Sequence, residues 1–486
     1  MKGKEALISD EEMLCGDYCR DRERLRSLLG AERSFDVVER RLALGKWEST
    51  YLYIDGFVKD GEMQRIMQML IGMQGPCDTD SVMRSLPYVE VDVAGGVGRI
   101  VNAVLSGQTV ILCESFGPRA ILVDARTYPS RGPQEPQSDR VMLGARDGFV
   151  ETLIFNTALI RRRIRDPRLT VEHITLKGSS ATDIALCYME GLADGKLLDS
   201  IRSRLRSIAP RGVPLGYRSV AEALIGRGWL DPFPKLRLTE RPDTASAHIL
   251  EGSVILLTDT CPQAMILPTS FFDFMQQTDD FYFPPLTGSY LRLVRIAILL
   301  LSVVITPLWY LAVEQGPSLP EALRFLYPDD PGALPIILQL ILVELAVDGL
   351  KIASMNTPDM LSSSLSVIGA LILGDYAVSI GWLCEDVILY MAFVAIASFA
   401  QQNAELGYAF KFFRVVTLLL VYLFGFIGLG VLGLVLGLAL MAVALALNNT
   451  LVGRGKYLYP LIPFNGSALM RLLFRMKKND VEEIEN

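Results

Sequence analysis

Histidine is nearly missing from this chain: only His173 and His248 occur in 486 residues. That argues against a histidine-rich metal site and against a serine–histidine catalytic pair, because both need imidazoles brought together. The seven cysteines, at 15, 19, 77, 113, 187, 261 and 384, are scattered. Cys15 and Cys19 lie one helical turn apart but no second pair follows, so they read as reduced thiols of a cytosol-facing body. Positive charge is in deficit, with a net charge of −7. This argues against nucleic acid as a partner, since phosphate binding needs Lys and Arg in excess. No apolar run follows the N-terminus, so no cleaved signal peptide is expected. Phosphate-binding glycine loops, dinucleotide fingerprints and two-carboxylate hydrolase sites are all lacking, and the sequence reads as a non-enzyme with no cofactor and no metal.

What the chain does have is apolar sequence concentrated in its last third. Five or six apolar runs lie between about Leu291 and Asn449. Each approaches the roughly 20 residues a helix needs to cross the hydrocarbon core. Several are apolar on every side, whereas a helix facing water keeps a polar back. The basic residues Arg292, Arg295, Lys351, Lys411, Arg414, Arg454 and Lys456 alternate with acid-biased loops at 314–330 and 385–386. By the positive-inside rule this fits six crossings with both termini on the cytoplasmic side. The glycine-rich run at 425–437 offers a re-entrant hairpin instead, which would leave five or fewer.

The preceding residues alternate between strand and helix signals. The predicted architecture is multi-domain: two small α/β soluble modules followed by an all-α polytopic membrane domain. A charged helical segment, mobile or docking, fills 1–34. The first module spans 35–168 and includes a strand at 51–57 and a hairpin of 109–114 with 119–126, turned by Ser115-Phe116-Gly117-Pro118. The second spans 169–285, the membrane domain 286–452 and a cytoplasmic tail 453–486. No long internal repeat is read.

Three groups of residues invite a functional reading. Glu344, Asp348 and Lys351 fall at i, i+4 and i+7, on one face of one helix. A charge at the bilayer centre costs at least ~2.5 kcal/mol and usually faces a bundle interior or water. These three therefore line an ion-accessible path or mark an interfacial amphipathic helix, and Asp375 is a second buried acid of the same kind. Arg161, Arg162 and Arg163, with Arg165, would bind a phosphate or lipid headgroup, or bridge to a neighbouring domain or copy. Gly433 and Gly437 permit close helix contact, for packing or for oligomerisation.

The string Tyr128-Pro129-x-Arg131-x-x-x-Glu135-Pro136, then Arg146-Asp147-Gly148-Phe149-x-Glu151, Asn156 and Leu159-Ile160-Arg161-Arg162-Arg163, resembles the signature of the GerA-type spore germination A subunits. Thr239-Glu240-Arg241-Pro242-Asp243 resembles their second signature, and Val367-Ile368-Gly369-Ala370-Leu371 with Gly374 matches their membrane block. Asn356-Thr357-Pro358 and the run from Leu365 to Ala377 look most like the stage V sporulation protein AF branch of that family. The resemblance implies a multi-pass protein of the spore inner membrane. It implies a bipartite head and a helical domain that assembles with itself into a ring-like channel and releases monovalent cations. The implied partners are germination receptor B and C subunits or, for this branch, a small membrane protein, together with membrane lipid. Arg131, Glu135, Arg146, Asp147, Glu151, Arg161, Arg162, Arg163, Glu240, Arg241 and Asp243 become candidate assembly and gating residues, while Glu344, Asp348, Lys351 and Asp375 are candidate pore residues. Where the receptor branch has Glu, Glu and Arg followed by Glu-Ala, this chain has Glu344, Asp348 and Lys351 followed by Ile352-Ala353, one acid fewer.

Overall fold

Strand Thr109–Cys113 carries no charge and is buried at every residue, which happens only where a sheet is covered on both faces. The computed structural model describes residues 12–86, 88, 90–126, 144–176, 182–207, 216–225, 231–316, 320–356, 369, 376–401, 403–450 and 456–474. It divides into two units. The first comprises Met1–Arg227, Leu236–Thr269 and Leu451–Gly453, and holds both sheets.

Sheet one is built from β1 (Val37–Leu44), β2 (Trp47–Ile54), β3 (Val91–Ala94), β4 (Thr109–Cys113) and β5 (Ala120–Val123), in the order β1-β2-β4-β5-β3. Helices α1 (Tyr18–Leu29) and α4 (Val97–Leu105) cover one face through Leu25, Leu29, Ile100 and Val104. Helices α2 (Asp60–Ile71) and α3 (Thr79–Ser85) cover the other through Met63, Ile66, Leu70 and Val82. Fully burying each such side chain is worth ~1.5–3 kcal/mol. The charged N-terminal segment is thus docked through α1, whose apolar side is part of a core.

Sheet two repeats the plan. After α5 (Leu153–Arg163) come β6 (Leu169–Thr175), β7 (Asp183–Met189), α6 (Gly195–Arg206), α7 (Tyr217–Ile225), β8 (Arg237–Thr239), α8 (Pro242–Leu250), β9 (Val254–Thr258) and β10 (Ala264–Leu267). The strand order is β6-β7-β9-β10-β8, the same permutation, again antiparallel throughout. Helices α6 and α7 cover one face, and α5 and α8 the other. Element for element, α1 to β5 corresponds to α5 to β10. Gly56 and Gly191 stand two residues past β2 and β7 at φ 79° and 82°. Gly107 and Gly252 stand two residues past α4 and α8 at φ 97° and 92°, where a side chain would be strained. The sequence reading found no repeat; the structure corrects it. A second difference concerns α5, placed by sequence in the first module at 35–168. Its Leu153, Leu159 and Ile160 pack into the second sheet's core.

A buried ion pair joins the two sheet-bearing halves of this unit. Asp36, just before β1, accepts from Arg161 Nε at 2.8 Å and Nη2 at 3.1 Å, and both side chains are shut away from solvent. Arg161 also donates to the carbonyls of Asp166 and Leu169. Ser34 receives a bond from Val171 N, and Phe35 N donates to Val171 O at 2.9 Å, so the lead into β1 is laced to β6.

The second unit comprises Gly228–Lys235, Ser270–Thr450 and Arg454–Asn486. Among the described residues its helices of four or more residues are α9 (Asp279–Tyr282), α10 (Pro285–Gln315), α11 (Ile336–Asn356), α12 (Glu385–Phe399), α13 (Ala404–Gly425), α14 (Gly430–Leu447) and α15 (Gly466–Leu473). Three of them, α10, α13 and α14, are long and apolar enough to cross a membrane. Helix α11 has the length but carries Glu344, Asp348 and Lys351. Helix α12 has 15 residues, about 22 Å at 1.5 Å each, short of the ~30 Å core. The predicted run around Asp375 lies outside the described residues except at Gly369 and from Tyr376 onward. A four-residue turn, Phe426–Leu429, splits the glycine-rich stretch, so α13 and α14 form an antiparallel hairpin. A Cβ on Gly433 would meet Leu420 O at 2.5 Å, and one on Gly437 would meet Thr417 Oγ1 at 2.5 Å. These glycines serve contact between two helices of one chain.

Three predictions concern the first unit. Asp36→Ala strands a buried guanidinium and is expected to cost ~3–5 kcal/mol, read as a lower denaturation midpoint of the sheet-bearing unit. Glu190→Ala, which removes the half-exposed partner of Arg33, should cost under ~1 kcal/mol. His248 on α8 is held neutral by burial and by Arg237, whose Nη1 lies 3.4 Å from Nε2, and its pKa falls from 6.5 to about 3; Glu251 lies 4.0 Å from Nδ1. The unfolded chain therefore binds the extra proton. Stability is complete above pH 6.5 and declines as pH falls toward 3, by up to ~1.4 kcal/mol per unit. His248→Gln should flatten that part of the pH–stability curve.

Candidate functional site

Helix α11 is apolar except for a polar seam, and the i, i+4 spacing puts Glu344 and Asp348 on the same side. Glu344 sits near the helix middle. Helix α13 answers with Lys411 and Arg414, an i, i+3 pair. Arg414 Nη2 donates to Glu344 Oε1 at 2.6 Å, and Lys411 Nζ lies 2.6 Å from the same oxygen. Lys411 also pairs with Asp348. Arg414 reaches a third helix through the carbonyl of Ser302 on α10, at 3.2 Å. Arg414 is 6% and Glu344 14% exposed, whereas Asp348 is 31% exposed, so the cluster opens toward its Asp348 side.

Lys351, one turn further along α11, meets rings rather than a carboxylate. Its ammonium lies 4.8 Å from the Tyr408 ring centroid and 5.6 Å from that of Phe399, a cation–π arrangement. Together these groups line a cavity of about 40 Å³ with Ser302, Ser398 and Gln401 on its wall. One water needs ~10–15 Å³ by that measure, so the space admits a few waters or a small ion. The amide nitrogen of Gln401 is buried there without a partner among the described residues. Counting charges, two acids face three bases, and the walls carry a net +1.

Sequence reasoning found the acids and Lys351 but took Lys411 and Arg414 only as markers of membrane orientation. Their signal was available: two bases one turn apart, inside an apolar run, opposite in sign to the acids on α11. Gln401 and Ser302 gave no signal. Asp375 lies outside the described residues, as do Arg131 and Glu135.

The other signature residues form a second cluster, in the first unit. Arg241, fully buried at the start of α8, donates to both oxygens of Asp243 and to the carbonyl of Ala145 at 2.9 Å. Phe149 N donates to Glu240 O at 2.8 Å, and Gln263 holds the Glu240 carboxylate. Arg163 Nη2 grips both oxygens of Asp147 at 2.6 and 2.7 Å. Thr260 N donates to the carbonyl of Glu151. The two head signatures therefore lie against one another, with Arg241 as the buried centre. Arg146, Glu151 and Arg162 are exposed, and Arg161 belongs to the pair with Asp36. Among the described residues no group of three or more His, Cys, Asp or Glu side chains is placed to hold a metal.

Comparison with known proteins bears on what these clusters are for. The family model described as "Bacillus/Clostridium GerA spore germination protein" matches residues 23–484. Stage V sporulation protein AF of Bacillus subtilis (strain 168) is 35% identical over 464 residues, spanning 94% of this chain and 92% of its own length. Spore germination protein KA of the same organism is 27% identical over 457 residues, spanning 91% of this chain and 82% of its own. Among solved structures, the N-terminal domain of the A subunit of the Bacillus megaterium spore germinant receptor GerK3 matches 54% of this chain and 98% of its own, at 22% identity and a TM-score of 0.39. A match from residue 23 to residue 484 leaves almost none of the sequence outside it, and the chain belongs to the GerA spore germination protein family as a membrane-associated member.

Proposed function

We propose that this chain is a subunit of an ion pathway in the spore inner membrane, working as a ring of copies with a receptor-type or small membrane partner to release monovalent cations during germination. The observation that supports it is the water-sized cavity among apolar helices, walled by Glu344, Asp348, Lys351, Lys411 and Arg414. Ionised groups are costly in such surroundings, and they recur where ions or protons pass. In this conformation both acids are occupied by bases of α13, which describes a closed pathway: a cation reaches Glu344 only when Lys411 or Arg414 withdraws. The head, by this reading, is the platform that moves α13. No chemical step is involved, and the relatives bear names of germination and sporulation proteins.

The same neutralisation favours a second reading, a non-conducting scaffold whose ion cluster only holds α10, α11 and α13 together. The two part company in liposomes. If the chain conducts, Lys411→Ala frees Asp348, leaves Glu344 to Arg414 alone and raises potassium flux by tenfold or more, since a single interaction of ~1.4 kcal/mol is worth that factor. Glu344→Gln with Asp348→Asn should abolish the flux and its cation preference. Wild-type protein and all variants that assemble normally yet leave the vesicles tight would establish the scaffold instead.

A further inference from the structure

The short run Asp231-Pro232-Phe233-Pro234-Lys235 belongs to the helical unit, although the chain up to Arg227 and from Leu236 onward belongs to the sheet-bearing one. Leu236 is itself part of the second sheet's core. Ordering such a run costs backbone entropy, so contacts must hold it. They are of two kinds. Phe233 is 1% exposed: its ring stacks on Phe413 at 5.4 Å and 16°, and meets Phe410 edge-on at 6.2 Å and Tyr457 at 6.0 Å. Lys235, also buried, donates to the side-chain oxygen of Asn448 and to the carbonyl of Asn449 at 2.9 Å, and pairs with Asp231 at 2.9 Å. The amide of Asn448 donates to Asp231 at 3.2 Å, and Asn448 is the residue that ends α14. The run therefore grips both helices of the hairpin, α13 by its rings and α14 by its end.

This grip bears on the charged cluster through helix geometry. Phe410 and Phe413 each stand one residue before a base, Lys411 and Arg414. A helix turns ~100° per residue, so the two rings and the two bases form neighbouring stripes on α13. Glu344 and Asp348 hold the basic stripe, and Phe233 holds the aromatic one. Turning α13 far enough to take its bases from Glu344 must slide Phe413 off the ring of Phe233, and ring contacts are directional. Prolines on both sides of Phe233 lock φ beside it, so the ring stands on a stiff mount and not on a slack loop.

We infer that Phe233 is a positioning residue: it fixes the rotational setting of α13, and the sheet-bearing unit, joined to it through Leu236, governs that setting. Its control of ion passage rests on the pathway proposed above; its hold on Lys411 and Arg414 does not. Plain packing would require an apolar side chain at 233 and nothing more. It gives no reason for the paired prolines or for the closed set of bonds among Asp231, Lys235 and Asn448.

Acylation of Lys411 by a small amine-reactive ester, read by mass spectrometry on the full chain in nanodiscs, tests this. Phe233→Ala is expected to speed the reaction about tenfold or more, the factor that ~1.4 kcal/mol of lost hold corresponds to. Phe233→Leu, which keeps apolar bulk but loses the stacked face, should fall between that variant and wild type. Inserting a glycine pair between Lys235 and Leu236 leaves the ring its seat and slackens the mount, and should speed acylation too. Exposed Lys196 on α6 should react at the wild-type rate throughout, and unchanged hydrogen exchange of β9 and α12 identifies the folded variants. If Phe233→Ala does not fold, the leucine variant and the insertion decide. Wild-type acylation of Lys411 in the glycine insertion, or in every folded variant at 233, overturns the inference. Faster acylation in vesicles that stay tight to potassium would retire the ion pathway and leave the positioning role standing.

Discussion

A charge in an apolar helix must meet its opposite before that helix can pack, and α11 meets this requirement at its junction with α13. Glu344 would cost several kcal/mol alone in α11. Lys411 and Arg414 compensate it from α13, and Arg414 ties the junction to α10. Three helices are thus registered by one carboxylate. The first unit obeys the same rule twice, with Arg161 on Asp36 and Arg241 on Asp243. Buried pairs of this kind add less to stability than their number suggests, because desolvation offsets attraction. What they add is selectivity of arrangement: a shifted register leaves an unpaired ion in a dry place.

Much of the head was legible from residue pattern. The alternation at 51–57 became β2, and the turn after Glu114 joined β4 to β5. The duplication was not legible, because a buried strand accepts any apolar residue of suitable volume. Little identity survives between the halves except where backbone geometry enforces it, as at Gly107 and Gly252. Helix α5, placed by sequence with the first module, sends Leu153, Leu159 and Ile160 into the second sheet's core and Ala158 into the first. Periodicity shows that a helix has an apolar face, not which sheet receives it.

The charged cluster was half legible. Spacing within one helix placed Glu344 and Asp348 together. It cannot say which neighbour faces them, and that neighbour supplies the bases. The reading of Glu344, Asp348 and Lys351 on one helical face therefore gains two bases and becomes a mixed, slightly positive chamber, and the polarity of the chamber depends on where α13 stands.

The glycines of α14 give that last point mechanical meaning. Gly433 and Gly437 bring α14 onto the backbone and hydroxyl of Leu420 and Thr417, with no side chain between to act as a bearing. Thr417 is one turn from Arg414 and two from Lys411. Sliding one helix past the other would drive Cα into carbonyl oxygen, so the hairpin travels as a single lever. Retracting the two cations from Glu344 accordingly means dragging the long greasy flank of α14 through lipid.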